Sequence, residues 1–429
     1  MSFEITFLGA SGGPLEGNTC SLLLKSTDVT YSELLELETG AESEGGNSNS
    51  NSNSSSSSNS NSNTYKTNTE ELLCIDAGSG MGKLTEIIYQ ESKYHQSACN
   101  LLNYYFDSEP IDYYYHQDVK RIEPFVNFNE YNTITYSKLL FNKLNNFLIT
   151  HPHLDHVSSL VINSAGFTVN NPPKQVYGSK YTINSLQQHY FNGIVWPNMP
   201  SFDILELAPL EFDITHKIGN YDVQMFPVSH GELNMIESKK GGRHSSITTI
   251  PAGVNETHYT MASTHRKSSD PDVHHYQSTS FLISKNDAYL LVFGDFESDM
   301  VSKLQRNLKI WQSVAPLVLG HKLKGVVLEC SNAKETDPNK LYGHLTPKHV
   351  IYELNQLNQE CKKLGGSDVE VPLKGLNVII NHVKEPILSN IREITDPRKH
   401  ILTDLNKYNQ EQGLGCHISI ALSGTTIVL

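Results

Sequence analysis

Short apolar runs separated by polar stretches dominate the pattern of the chain. Residues 3–9 alternate between apolar and polar side chains, which predicts a strand that runs into the Gly-rich turn at residues 11–14. Helical spacing predicts helices at residues 83–93 and 157–166. The other predicted strands cover residues 19–24, 72–75, 147–150, 175–178, 221–228, 280–284, 289–294, 325–329 and 376–381. Strands spread along the chain with helices between them indicate an α/β layered core.

Three polar stretches interrupt this pattern. Residues 40–63 consist almost entirely of Ser, Asn, Gly and Glu, so they have little to bury and predict a disordered insertion in a surface loop. The Tyr-rich residues 103–132 predict an irregular or helical excursion, and residues 232–271 a loop or an extended hairpin. We therefore expect a single domain over residues 1–429, with the insertion at 40–63 inside it.

The composition indicates which cellular compartment and which classes of partner are compatible with the chain. The 33 Lys and Arg against 46 Asp and Glu give a net charge of −13, which disfavours a broad basic surface for nucleic acid. The start MSFEITFLGA lacks a basic segment followed by a long apolar run, and no stretch approaches the ~18 apolar residues of a membrane-spanning helix. The six Cys form no CxxC pair, which fits a reducing compartment. We expect a soluble, cytoplasmic protein that binds neither membranes nor nucleic acid.

The sequence HPHLDH at residues 151–156 is the most informative segment of a chain with 19 His. Side chains two apart on a helix point roughly opposite ways, so His151 and His153 must lie on a loop, where they can converge on one ion. Asp155 and His156 can face a second ion from the N-terminus of the next helix. His and carboxylate ligands without a thiolate suit zinc, and they fit manganese or iron less well. The alternative is a chance cluster of His in a loop.

Three further ligand-type residues directly follow apolar strands. They are His230, Asp295 and His382. Open α/β sheets place their sites at the carboxyl ends of strands. Taken singly, each is at least as well explained as a strand-end polar residue. Together with the first cluster they complete a two-ion hydrolytic centre, in which Asp295 could bridge both ions.

The pattern HxHxDH, then a lone His, a strand-end Asp and a final strand-end His, resembles the metallo-β-lactamase superfamily. That resemblance implies a four-layer αββα sandwich with the metals at its edge. The implied ligands are, for a first zinc, His151, His153 and His230, for a second, Asp155, His156 and His382, and, bridging both, Asp295. It also implies that Asp76 contacts one of these ligands and orients it without binding the metal itself. A helix N-cap or a turn is the alternative role for Asp76.

The longer string HPHLDHVSSLVINSAGF, at residues 151–167, resembles the signature of the class II cyclic-nucleotide phosphodiesterases, the low-affinity type found in fungi. Further similar segments are FLGASGGP, STSFLI before GDFESD, LECSNA with a following GHLTP, and INHVKEP. The resemblance spans the chain from Phe3 onward. Residues 40–63 do not follow the family pattern, and they contain none of the implied ligands. It implies hydrolysis of cAMP, and also of cGMP, to the 5′-nucleoside monophosphate, a role in lowering cyclic-nucleotide signalling, and a homodimer.

The implied ligands suggest how such a hydrolysis would proceed. Two zinc ions with two aspartates leave a positive site for an anionic phosphodiester. Zinc lowers the pKa of bound water toward ~7, and we expect the resulting hydroxide to attack phosphorus in line with the 3′ oxygen. His344 in GHLTP is the candidate acid for that oxygen, held by Glu329, as related phosphodiesterases imply. With Asp155 these two form the expected catalytic set. A loop His and a strand-end carboxylate are the alternatives.

Other functions share parts of this pattern. A tRNA 3′-end endonuclease of the same superfamily has the same ligands and Glu/His pair, but this chain has no compact basic insertion to grip RNA. A thioester hydrolase of the glyoxalase II type has no evident need for Glu329 and His344. An inactive, metal-stabilised binding protein is disfavoured by the complete ligand set.

Overall fold

Two β-sheets form the centre of the molecule. The computed structural model describes residues 2–36, 70–169, 172–232, 275–333, 341–365, 370–385 and 395–429. The first sheet has eight strands in the order β4-β15-β1-β2-β3-β5-β6-β7. These strands are β1 (Phe3–Gly9), β2 (Ser21–Ser26), β3 (Leu73–Ile75), β4 (Lys120–Ile122), β5 (Asn146–Leu148), β6 (Lys174–Gly178), β7 (Leu205–Pro209) and β15 (Thr425–Val428). Its strands β3, β5, β6 and β7 run parallel to one another.

The second sheet has seven strands in the order β14-β13-β12-β11-β10-β9-β8. These strands are β8 (Thr215–Ile218), β9 (Tyr221–Glu232), β10 (His275–Lys285), β11 (Ala288–Phe293), β12 (Leu323–Glu329), β13 (Asn377–Asn381) and β14 (His417–Ile420). Strands β11 to β14 are parallel, so their carboxyl ends lie along the same sheet edge. The residues that follow β11, β12 and β13 therefore come close together.

Helices cover the outer face of each sheet. They are α1 (Tyr31–Leu34), α2 (Met81–Tyr94), α3 (Thr133–Lys143), α4 (Leu154–Ser164), α5 (Lys180–Ser185), α6 (Asp299–Ser302), α7 (Arg306–Leu319), α8 (Pro347–Gly365) and α9 (Pro397–Glu411). Helices α2 to α5 pack on the first sheet, and α7 to α9 pack on the second. The resulting order of layers is helix, sheet, sheet, helix.

The alternation of side chains along β2 shows why the chain forms these layers. Leu23 packs into the apolar cluster under α2 to α4, whereas Leu22 and Leu24 pack into the core shared with the second sheet. Successive strand residues point to opposite faces, so an apolar run such as SLLLKS fits a strand buried on both sides. The fully apolar strands of the sequence are therefore the inner strands of the sandwich.

The structure confirms the α/β, αββα four-layer sandwich and most of the predicted strands. The predicted helix at 157–166 begins three residues earlier, at Leu154, and the helix at 83–93 is longer at both ends. The Tyr-rich stretch contains short 3-10 helices and β4. The predictions for residues 40–63 and for almost all of 232–271 lie outside the described residues. In the described part, no helix has the length and apolar character to cross a bilayer.

Candidate metal centre

Loops from both sheets, together with the end of β9, meet at one edge of the sandwich and carry the ligand-type side chains. His230 lies within β9 and does not follow it as predicted, because pairing with β10 extends this strand to Glu232. His151 follows β5 on the first sheet, and α4 begins directly after His153. The structure thus confirms that this His pair lies on a loop and that Asp155 and His156 lie in the first turn of a helix. Asp295 and His382 follow β11 and β13 on the second sheet.

One group brings together His151, His153 and His230. Their ligand atoms all lie within 4.8 Å of one another. Nδ1 of His153 is 3.3 Å from Nε2 of His230. Nε2 of His151 is buried and has no hydrogen-bond partner among the described residues. An unpartnered buried nitrogen is costly, so this atom points to a missing ligand.

A second group brings together Asp155, His156, Asp295 and His382, also within 4.8 Å. Nε2 of His156 is 3.2 Å from Nε2 of His382 and 3.3 Å from Oδ1 of Asp295. Nε2 of His382 is 3.3 Å from Oδ2 of Asp155. These are the residues that the superfamily resemblance implies for the second ion.

Asp295 lies between the two groups. Its Oδ2 atom is 3.1 Å from Nε2 of His382 in one group. The same atom is 3.8 Å from Nε2 of His151 and 3.8 Å from Nε2 of His230 in the other. Its side chain is 3% exposed, so this carboxylate is a buried negative charge that faces imidazoles on several sides.

Hydrogen bonds to Nδ1, on the side of the ring away from the centre, orient the imidazoles. The Asp76 carboxylate accepts from Nδ1 of His156 at 2.8 Å, and the carbonyl oxygen of Gly343 accepts from Nδ1 of His230 at 3.0 Å. In each ring Nδ1 carries the proton, which leaves the Nε2 lone pair facing the centre. Asp76 is held in turn by the amide and hydroxyl of Thr150. The N-cap of α2 is Gly80, so the N-cap alternative for Asp76 is wrong.

Ser331 orients the ring of His382 in the same way. Its hydroxyl lies 2.5 Å from Oε2 of Glu329 and 2.8 Å from Nδ1 of His382. Because a carboxylate can only accept, the Ser331 hydroxyl donates to Glu329 and accepts from His382. Nδ1 of His382 therefore carries its proton, and Nε2 faces the centre.

The spacing of the facing atoms is that of ligands around shared cations. Bonds of about 2.0–2.1 Å at tetrahedral angles hold two zinc ligands about 3.3 Å apart. The pairs His153–His230 and His156–His382 have 3.3 and 3.2 Å between their nitrogens. Two nitrogens at this distance repel each other unless a proton or a metal ion lies near both. The residues present therefore fit a pair of bound metal ions.

The electrostatics of the two groups differ. Burial, and then the neighbouring His156, lower the pKa of His151, and burial followed by His344 lowers the pKa of His230 to about 3. These rings are neutral at pH 7, as metal ligation requires. Burial opposes charge on His382 as well, but the carboxylates of Asp295 and Asp155 outweigh it and raise its pKa. The carboxylates of the second group thus favour positive charge at His382.

His344 and Glu329 lie beside the metal ligands. Nδ1 of His344 is 2.8 Å from Oε1 of Glu329, and His344 is 6% exposed. Burial alone would raise the pKa of Glu329, but His344 outweighs it and keeps that pKa low. The amide of Phe296 also donates to Oε1 of Glu329. An ionised, fixed carboxylate therefore orients the ring of His344.

Gly12 packs directly on a ligand. A Cβ atom at Gly12 would lie 2.5 Å from Nδ1 of His382, so only glycine fits there. Its amide donates to the carbonyl of Val383 and is not free to bind phosphate.

Sequence reasoning missed two side chains and one backbone group of this centre. They are the hydroxyls of Ser331 and Thr150 and the carbonyl of Gly343. Ser331 lies two residues after Glu329 in LECSNA, and Thr150 directly precedes His151, so their proximity to candidate residues was the available signal. The carbonyl of Gly343 left no signal, because any residue carries one.

Residues 60–424 match the family described as cAMP phosphodiesterases class-II. The chain is 49% identical to a 3′,5′-cyclic-nucleotide phosphodiesterase of Candida albicans, with 100% of both chains covered. It is 30% identical to 3′,5′-cyclic-nucleotide phosphodiesterase 1 of Saccharomyces cerevisiae, covering 100% of this chain and 99% of that one. The crystal structure of unliganded yeast PDE1 is similar with a TM-score of 0.70 and 28% identity, covering 100% of this chain and 99% of that one.

Proposed function

Because the chain belongs to the class-II cAMP phosphodiesterase family, a family of hydrolases, we propose that it hydrolyses 3′,5′-cyclic nucleotides to 5′-nucleoside monophosphates. The observation that carries this proposal is the pair of ligand groups joined by Asp295, with the Glu329–His344 pair beside them. Cyclic AMP is the proposed main substrate and cyclic GMP a second one. The proposed cellular role is to lower cyclic-nucleotide signalling in the cytoplasm.

Two zinc ions are the proposed cofactors. The donors are imidazole and carboxylate without thiolate, a set that suits zinc. His151, His153 and His230 would hold one ion, Asp155, His156 and His382 the other, and Asp295 would contact both. Divalent ions bound there supply positive charge for the phosphate and a water that is deprotonated near neutral pH.

His344 is the proposed general acid. Breaking the bond between phosphorus and the 3′ oxygen leaves an alkoxide, which needs a proton. Nδ1 of His344 is engaged by Glu329, so Nε2 is the nitrogen left to give that proton. Glu329 accepts from Nδ1 of His344 and fixes the direction in which the ring points. The Ser331 hydroxyl lies between Glu329 and His382. The buried carboxylate of Glu329 is therefore linked both to the proposed acid, directly, and to a proposed metal ligand, through Ser331.

Substrate hydrolysis by the purified, zinc-loaded protein tests the proposed function. We expect 5′-AMP from cyclic AMP and 5′-GMP from cyclic GMP, with no 3′-nucleotide. A precursor tRNA is the informative second substrate, because the tRNA 3′-end endonucleases share the implied ligands. Cleavage of that RNA without turnover of either cyclic nucleotide would overturn the proposal.

A further inference from the structure

A second cluster of ligand-type side chains lies far from the metal centre described above. His116, Asp118 and His417 bring their ligand atoms within 4.8 Å of one another. His417 is the first residue of β14 and pairs with Asn377 at the start of β13. His382 follows the other end of β13. The two sites are therefore at opposite ends of the second sheet.

The distances in this cluster are those of ligands rather than of hydrogen-bonded partners. Oδ2 of Asp118 is 3.4 Å from Nε2 of His417 and 3.6 Å from Nδ1 of His116. Both exceed the 2.7–3.2 Å of a hydrogen bond between nitrogen and oxygen. They are close to the separation of about 3.3 Å between two ligands of a tetrahedral zinc ion.

The imidazole of His116 presents a lone pair to this space. Its Nδ1 atom is unprotonated, because the amide N–H of Asp118 points at it across a long 3.3 Å contact, which an ion bound at Nδ1 would replace. The ring stacks on His417 with 3.9 Å between centroids, an arrangement that two charged imidazolium rings would oppose.

We propose that His116, Asp118 and His417 form a separate binding site for a divalent transition-metal ion, with zinc as its natural occupant. Two imidazoles and one carboxylate suit zinc, and the partly exposed position leaves room for water as a further ligand. The rings are nearly parallel, so one of them turns about its Cβ–Cγ bond to aim its lone pair at the shared ion. That torsion is soft for histidine.

The ion would join the two sheets at their edges. His116 and Asp118 precede β4, which is an edge strand of the first sheet, and His417 begins β14, which is an edge strand of the second. The amide of His116 already donates to Ser419 of β14, so the two segments are held together without the ion. Binding to this arrangement in the folded state alone stabilises the fold by mass action. The proposed role is structural and independent of hydrolysis.

Zinc titration of the catalytically loaded protein tests this site. The wild type, His417→Ala and Asp118→Asn are loaded with the zinc that the catalytic centre holds, and further zinc is titrated by calorimetry. His400→Ala is the matched control, because His400 is an exposed histidine of α9 outside the cluster. We expect one additional ion in the wild type and the control, and its loss in both cluster variants.

Thermal unfolding and hydrolysis give independent readouts. Added zinc should raise the unfolding midpoint of the wild type and of His400→Ala, and should leave that of His417→Ala and Asp118→Asn unchanged. Hydrolysis should be equal in all four proteins, which separates this site from the catalytic centre. The proposal is overturned if excess zinc adds no ion to the loaded wild type, or if Asp118→Asn, which preserves the size of the side chain, binds that ion as the wild type does.

Discussion

At the scale of single residues, the candidate metal centre depends on which nitrogen of each imidazole faces inward. Asp76, the carbonyl of Gly343 and Ser331 each engage an Nδ1 atom, and each leaves Nε2 toward the centre. These outer contacts set both the tautomer and the direction of the ring. Mutation of such a partner typically weakens metal binding by about 10–100-fold.

Ser331→Ala tests this for His382. The variant removes the hydroxyl that accepts from Nδ1, so we expect the ion at His382 to bind about 10–100-fold more weakly. Ser313→Ala is the control, because Ser313 is an exposed serine of α7 whose hydroxyl bonds only within its own helix. Metal retention during dialysis against a weak chelator is the measurement. Equal retention in both variants would show that Ser331 does not position His382.

His344→Ala tests the proposed acid. We expect kcat to fall by about 10²–10⁴, the usual contribution of a positioned acid, while the zinc content stays that of the wild type. Glu329→Gln should lower kcat as well, because a neutral amide accepts more weakly than a carboxylate from Nδ1 of His344 and holds the ring less firmly. Turnover and metal content are measured on the same samples. Unchanged turnover in His344→Ala would remove it from the mechanism.

At the scale of elements, the ends of strands and the loops after them set the geometry of the centre. Gly12, in the turn after β1, packs against the ring of His382 with no room for a Cβ atom. A side chain there has to push the ring or the turn away. Element packing, and not only the ligands themselves, therefore determines where His382 lies.

Gly12→Ala tests that packing. We expect weaker retention of metal and lower turnover, since the added methyl group displaces His382. Gly17→Ala is the control from the same connection, because a Cβ atom at Gly17 meets nothing within 4 Å. Metal content and hydrolysis should be near those of the wild type in Gly17→Ala. Unchanged metal content and hydrolysis in Gly12→Ala would show that this packing does not position His382.

The elements also show what the sequence could and could not predict. Strands such as β2 and β11 are apolar runs buried on both faces, so their pattern is sufficient to predict them. Strand β4 has only three residues, none fully buried, and exists because β15 pairs with it. Such edge pairing depends on distant residues and leaves no local pattern. The loop position of His151 and His153 was predictable, because side chains two residues apart on a helix point in roughly opposite directions and could not converge on one ion.

At the scale of the whole molecule, the centre requires both halves of the sandwich. His151, His153, Asp155 and His156 come from the loop and helix after β5, whereas His230, Asp295 and His382 come from the second sheet. Their positions next to apolar strands suggested a shared site, and the family resemblance implied which ion each residue would hold. Their approach to within bonding distance of common ions depends on how the two sheets pack, which no single segment encodes.

Metal content and cyclic-nucleotide hydrolysis, compared between the wild type and Asp155→Ala, test whether this centre binds two zinc ions that hydrolysis requires. Asp28→Ala is the control, because Asp28 is an exposed aspartate outside the centre. We expect two zinc ions and hydrolysis in the wild type and in Asp28→Ala. We expect loss of one ion and of most hydrolysis in Asp155→Ala, with the far-ultraviolet circular dichroism unchanged. A wild type that purifies without zinc and hydrolyses cyclic AMP unaided, or full activity in Asp155→Ala, would contradict this expectation.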